Sequence, residues 1–171
     1  MPKKSFRRRV YHNLAEFRAD LSWMRQRRRL IRRALRELIS PAFRERLMLV
    51  VTEVNGCRYC SYYHAREALK SGLSAAELQA FLVGAIPAET PPDEYLALVY
   101  AQHWAETDAQ PDREAVQKLI ESYGEEKAAA IDIVLRMIRV GNLLGNTADY
   151  LLYRLSFGAM GLHENESQFS L

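Results

Sequence analysis

Residues 44–81 read RERLMLVVTEVNGCRYCSYYHAREALKSGLSAAELQAF, and this stretch decides the fold. A helix starting at Pro41, a residue suited to a first turn, carries Phe43, Leu47, Val50, Val51 and Val54 on one face, and Asn55-Gly56 supplies its stop. A second helix begins at or near Cys57 and runs through Ala65, Ala68 and Leu69 to Ser71-Gly72. Ser74 followed three positions later by Glu77 has the form of a capping box opening a third. The short Asn-Gly connection folds the first of these helices back against the second, so the residues of both meet near Cys57.

Outward from this core the pattern stays helical. Leu14, Phe17, Leu21, Met24, Ile31, Leu35 and Leu38 recur at alternating three and four spacing, and Arg28 occupies the one slot that breaks it. The spacing predicts one long amphipathic helix with a narrow stripe suited to a partner helix, ended by Ser40-Pro41. Further helices are expected over 93–106, 112–123 and 125 to about 155, and no segment alternates as a strand would. The expected fold is all-α, with six to seven helices. Its parts are a basic helical arm over 1–40, a helical domain carrying the cysteines over 41–156, and a poorly ordered tail over 157–171.

The chain has 171 residues, 49% apolar and 26% charged, with two cysteines. That composition describes a single globular domain and excludes a collagen, a disulfide scaffold and a membrane span. The N-terminus shows no secretory signal, so a reducing, cytoplasmic setting is expected, where two cysteines point to redox or metal chemistry. The net charge of +3 hides an asymmetry. Residues 1–46 hold 15 Lys and Arg against 4 Asp and Glu, whereas residues 47–171 hold 9 against 17. A basic arm on an acidic body suits self-association first, then a solvated face, then nucleic acid or membrane. Phe6, Tyr11 and Trp23 in the arm do not alternate with arginines as a base-stacking platform would.

The chemistry centres on Cys57-Arg58-Tyr59-Cys60, two thiols one helical turn apart, with His64 four residues after Cys60 on the same face. Two effects compete for the nucleophile. The helix start favours an anion at Cys57, whereas the imidazole one turn above favours Cys60 and can also move a proton. The second effect ranks higher, which assigns Cys60 as the attacking and Cys57 as the resolving thiol. Glu45, on the preceding helix, is placed to serve as a proton shuttle or to hold the His64 tautomer, and Glu53 is its rival. Gly141 and Gly145 lie four apart on the last helix and read as a tight packing face, with Asn142 and Asn146 able to hydrogen-bond across it. A zinc site built from Cys57, Cys60 and His64 with His103 or Glu45 is the rival reading, at a poor spacing. A nucleic-acid- or membrane-binding helical module with incidental cysteines is another. No Gly-rich phosphate loop is present, so no nucleotide or flavin cofactor is expected.

Glu45, eleven residues, Cys57, two residues, Cys60, three residues and His64 together resemble the active-site pattern of the AhpD-like branch of the carboxymuconolactone decarboxylase superfamily. Residues 44–81 look like the core helices of that family throughout, including the Gly72 turn and the Ser74 start, and the likeness spans roughly two thirds of the chain. It implies an all-helical bundle assembling as a dimer, trimer or hexamer, and reduction of hydroperoxides or disulfides through the CxxC pair. Carried over by position, Cys60 attacks the peroxide, Cys57 resolves, and His64 and Glu45 relay protons, with an external dithiol, of the thioredoxin or lipoyl type, as reductant. Lactone decarboxylases of the superfamily lack the cysteine pair, which points away from decarboxylation. Two departures stand out. Tyr59 takes a place where some members have His, and a phenol is a poor relay at neutral pH. The basic segment before residue 40 is expected to lie outside the family core.

Overall fold

The computed structural model describes residues 5–162, and these are helical with no strand among them. Seven α-helices follow in order: α1 (Leu14–Gln26), α2 (Arg28–Arg33), α3 (Pro41–Asn55), α4 (Arg58–Lys70), α5 (Ala75–Leu82), α6 (Pro92–Glu106) and α7 (Arg113–Leu155). The all-α bundle expected from periodicity is the one observed.

Helix α3 lies at the centre, packed against α4, α5, α6 and α7. Its sequence explains both ends. Ser40 Oγ accepts the Phe43 amide at 3.2 Å with Pro41 at the first turn, and Gly56 closes the helix in the left-handed region at φ +66°. Leu47 and Val51 on α3 are fully buried, as are Leu98, Ala101 and Trp104 on α6 and Ile131, Val134 and Leu135 on α7. Each Leu, Ile or Val side chain so buried stabilises the fold by roughly 1.5–3 kcal/mol, and truncating one such as Leu47 to Ala costs about 2–5 kcal/mol.

The N-terminal segment is not one uninterrupted helix. The Arg27 amide is shared between the Trp23 and Met24 carbonyls, 3.2 Å each, and Arg27 leaves the helical region at φ −100°, ψ 15°. The break falls beside Arg28, the slot where the apolar spacing failed. A π-helical turn over Ala34–Leu38 then carries the chain into Ile39, and Ala34 and Ile39 join the core. Trp23, Leu30, Ile31, Leu35 and Leu38 pack on the core from outside, whereas Leu14 and Leu21 are half exposed and α1 buries no residue.

The two C-terminal helices expected over 112–123 and 125–155 form one run, α7, broken at Gly124 (φ +73°, ψ +160°) where their boundary was placed. Ser74 caps α5 by accepting the Glu77 amide at 3.1 Å, but the reciprocal half of the capping box is not made. The Glu77 carboxylate takes the Arg46 guanidinium at 2.6 Å instead, a stronger charge-assisted partner than the Ser74 amide. Residues 157–162 make turns, with the Gly158 amide on the Tyr153 carbonyl at 2.8 Å, and the rest of the expected tail lies outside the described residues. No helix among the described residues is long and apolar enough to cross a membrane.

Candidate active site

The left-handed turn at Gly56 reverses the chain so that Cys57 becomes the N-cap of α4. Its Sγ accepts the Cys60 amide at 3.4 Å and lies 3.0 Å from the Cys60 Sγ. Both are free thiols, Cys57 buried at 1% exposure and Cys60 half-buried. One turn further, His64 Nδ1 stands 2.7 Å from Glu45 Oε2, and Arg44 Nε donates to the other Glu45 oxygen at 3.0 Å. Glu45 is buried on α3, while His64 is mostly covered and meets the Tyr63 ring edge-on. The two helices thus bring Cys57 to Cys60 and Glu45 to His64, two pairs one turn apart along α4. Of the two carboxylates considered for His64, Glu45 is the one that reaches it. Glu53 lines a groove on the Cys57 side, where burial raises its carboxyl above the usual range.

The electrostatics of the thiol pair favour charge on Cys57. The hydrogen bond from the Cys60 thiol lowers Cys57 to about 6, against the opposing effect of burial, and the amides of Cys60 and Tyr59 and the Asn142 side chain add to it. Cys60 is pushed far up by donating to Cys57, by burial and by the neighbouring charge. The hydrogen bond between the two sulfurs is the main cause of this polarity, and the backbone amides at the helix start add to it.

The wall behind the thiols is α7. A β-carbon on Gly145 would stand 2.6 Å from Cys57 Sγ, and one on Gly141 3.7 Å from Cys60 Sγ. Hence Gly141 and Gly145 are where the sulfurs meet the backbone of α7. Asn142 and Asn146 are fully buried beside them. Asn142 Nδ2 donates to Thr52 Oγ1 at 3.1 Å and its Oδ1 accepts Asn55 Nδ2 at 3.1 Å, while Asn146 Nδ2 donates to the Asn55 carbonyl at 2.8 Å.

One residue of this wall escaped the sequence reading. Asp149, fully buried, accepts Arg8 Nη1 at 2.7 Å through one oxygen and both Arg58 Nη2 (2.5 Å) and Tyr59 OH (2.8 Å) through the other. Burial would raise its carboxyl, but Arg8, Tyr59 and Arg58 together hold it below the usual carboxylate range. The two residues between the cysteines are therefore tied to one carboxylate of α7. Tyr59, poorly suited as a relay, has this anchoring contact instead. The available signal was the four-residue period Gly141, Gly145, Asp149.

The N-terminal segment completes the site. Arg8 also donates to the Gly161 carbonyl and packs on Gly56, Arg9 reaches Asn55 Oδ1 and the Ala105 and Glu106 carbonyls, and the Tyr11 amide donates to Thr147 Oγ1 at 3.0 Å. A groove of about 620 Å³ opens over Cys57, with Arg8, Glu53, Arg58, Tyr62 and Leu82 among its lining. His103, weighed as a fourth metal ligand, faces Asp112 at 3.0 Å, and no group of three or more His, Cys, Asp or Glu among the described residues is gathered to hold a metal.

The model of the carboxymuconolactone decarboxylase family matches residues 11–102. The match contains Glu45, Cys57, Cys60 and His64. It also takes in α1 and α2, so the N-terminal segment from residue 11 is not outside the family region as expected, in keeping with its packing on the core. It ends before α7. No curated protein matches the chain significantly.

Proposed function

The chain belongs to the carboxymuconolactone decarboxylase family, and from that premise we propose that it is an AhpD-like dithiol peroxidase acting through Cys57 and Cys60. One observation carries the reading: two free sulfurs 3.0 Å apart at a helix N-terminus, one turn from a Glu45–His64 pair joined at 2.7 Å. Such a pair holds one shared proton, with the charge resting on Cys57. Passing that proton across places the thiolate on Cys60, the more exposed sulfur.

In the proposed cycle the Cys60 thiolate attacks the terminal oxygen of a hydroperoxide. The O–O bond breaks, Cys60 becomes a sulfenic acid, and the departing alkoxide takes a proton from His64, held in place by Glu45. Cys57 then attacks the Cys60 sulfur, the S–O bond breaks, and water leaves with the Cys57 proton. The balance is one peroxide and two thiols to one alcohol, one water and one disulfide. An external dithiol, itself oxidised to a disulfide, regenerates the pair by exchange. The groove over Cys57 offers it a path to that sulfur. No step calls for a bound cofactor. The working unit is a homo-oligomer, a reading supported by the half-exposed Leu14 and Leu21 on an α1 that buries nothing.

The test is stoichiometric. Reduced protein titrated with hydrogen peroxide or cumene hydroperoxide should lose two thiols and about 2 Da per chain, faster than free cysteine. Thiols reacting no faster than free cysteine would overturn the proposal.

A further inference from the structure

The chain between Asp20 and Glu37 holds seven arginines and no acidic residue. Two of them are engaged: Arg27 lies over the Trp23 ring, and Arg33 pairs with Glu37 and Glu126. The other five, Arg25, Arg28, Arg29, Arg32 and Arg36, are exposed, and none of their side chains has a partner among the described residues. Elsewhere the fold pairs its arginines readily. Arg46 takes Glu77 and Glu94, Arg136 takes Asp132, and Arg139 takes Asp108. The five cations are also gathered in one place. Arg28, Arg29, Arg32 and Arg36 recur at three- and four-residue spacing along α2 and its π-helical turn, while Leu30, Ile31, Ala34 and Leu35 between them pack on the core. At the Arg27 break, Arg25, Arg28 and Arg29 line an open groove of about 730 Å³ together with Ser22 and Gln26.

We propose that this arginine face binds the phosphate backbone of a nucleic-acid duplex, a function separate from the dithiol chemistry. The surroundings of the five cations select that partner. A second copy of the chain offers little complement, because Glu77, Glu94, Glu126, Asp132 and Asp149 of the acidic body already face this chain's own arginines. A bilayer takes an amphipathic helix by its apolar side, and the apolar side of α2 is spent on the core. An acidic protein would need aromatic or apolar anchors at the centre of the patch, where Ser22 and Gln26 lie instead. Guanidinium forks match phosphate oxygens, and interfaces with nucleic acid are polar and strongly positive. A single strand would call for aromatic faces on which bases stack. Trp23, the aromatic of this stretch, is half-buried with Arg27 and Arg136 over its ring.

Contacts to backbone phosphates carry no base information, so the binding is independent of sequence and driven by release of counterions. With each of the five arginines on one phosphate, the logarithm of the affinity should fall against that of salt with a slope of about −4.5, a loss of roughly 500-fold between about 50 and 200 mM.

The test follows a labelled DNA duplex of about 20 base pairs by fluorescence anisotropy as the reduced full-length protein is added, across that salt range. Arg28→Gln with Arg29→Gln and Arg32→Gln should weaken binding at least about tenfold at low salt and flatten the slope to about −2. Lys70→Gln with Arg113→Gln and Lys118→Gln removes the same charge from other exposed places and should bind as the parent does. If the first variant does not fold, Arg25→Gln with Arg36→Gln takes its place, with a slope expected near about −3. No binding of the parent at low salt, or equal weakening in the Lys70, Arg113 and Lys118 variant, overturns the proposal. So does preference for vesicles containing phosphatidylserine over the duplex, which gives the face to a membrane, or a fall in light-scattering mass of the arginine variants, which gives it to a second copy. No thiol enters the measurement, so its outcome is independent of the dithiol reading.

Discussion

Gly145 leaves room for the sulfur of Cys57. A β-carbon at position 145 would stand 2.6 Å from Cys57 Sγ, closer than any unstrained contact, and would also crowd the Tyr59 ring at 3.3 Å. Gly145→Ala should therefore destabilise the protein by about 1–3 kcal/mol and displace Cys57 from its N-cap position. Gly141→Ala meets Cys60 Sγ at an ordinary 3.7 Å and should be neutral or stabilising by up to about 1 kcal/mol through helix propensity. Denaturant melts with thiol counting by an aromatic disulfide reagent check both, and equal behaviour of the two variants would contradict this placement.

The buried Asp149 carboxylate accepts from Arg8, Arg58 and Tyr59 at once, and removing its charge weakens all three contacts. Asp149→Asn should cost about 3 kcal/mol and loosen the Arg58-Tyr59 turn. The pH dependence follows from the direction of the shift. The folded-state pKa lies below the ordinary value of 3.8, so the stabilisation is present above that value and is lost as pH falls through the folded one. The stability gap between the native protein and Asp149→Asn should accordingly narrow in acid, as read by denaturation midpoints at several pH values.

Alkylation of the reduced protein should rise with a midpoint near pH 6, the value for Cys57, rather than near 9. Cys60→Ser should abolish peroxide consumption, and Cys57→Ser should accumulate a sulfenic acid trapped by dimedone. The reverse pattern would exchange the roles of the two sulfurs.

Glu45→Gln keeps the shape of a buried side chain but removes the charge that faces His64 at 2.7 Å. Peroxide turnover should fall about 100-fold, within the range for a lost proton-transfer partner, while two thiols per chain remain titratable. A variant that keeps full turnover would remove Glu45 from the relay.

Leu14 and Leu21 lie one heptad apart on α1, both at least half exposed. Leu14→Lys with Leu21→Lys should lower the mass measured by light scattering and leave the thermal transition close to that of the parent at equal subunit stoichiometry. An unchanged mass would show that α1 does not join copies of the chain.

Much of this protein was legible before any coordinate. Apolar spacing placed α3 to α7, the Asn55-Gly56 stop and the break at Gly124, because these depend on which face of a helix can be buried and on residues a few positions away. Local signals failed where a distant partner competed. Glu77 abandoned the capping box for Arg46, thirty-one residues away. The break of the N-terminal helix at Arg27, by contrast, falls beside Arg28, the one slot where the apolar spacing fails.

The same division runs through the site. The spacing of Cys57, Cys60 and His64 follows from helical geometry within α4 alone, so the sequence by itself determined that the dithiol and its imidazole share one face, and it named Glu45 as the carboxylate to seek. Only the tertiary structure decided that Glu45 rather than Glu53 meets His64, that Gly141 and Gly145 face the sulfurs, and that Asn142 and Asp149 reach across from α7. Those contacts join residues 19 to 141 positions apart. Their geometry is set by how whole helices pack, a property of the summed core that no short window of sequence contains.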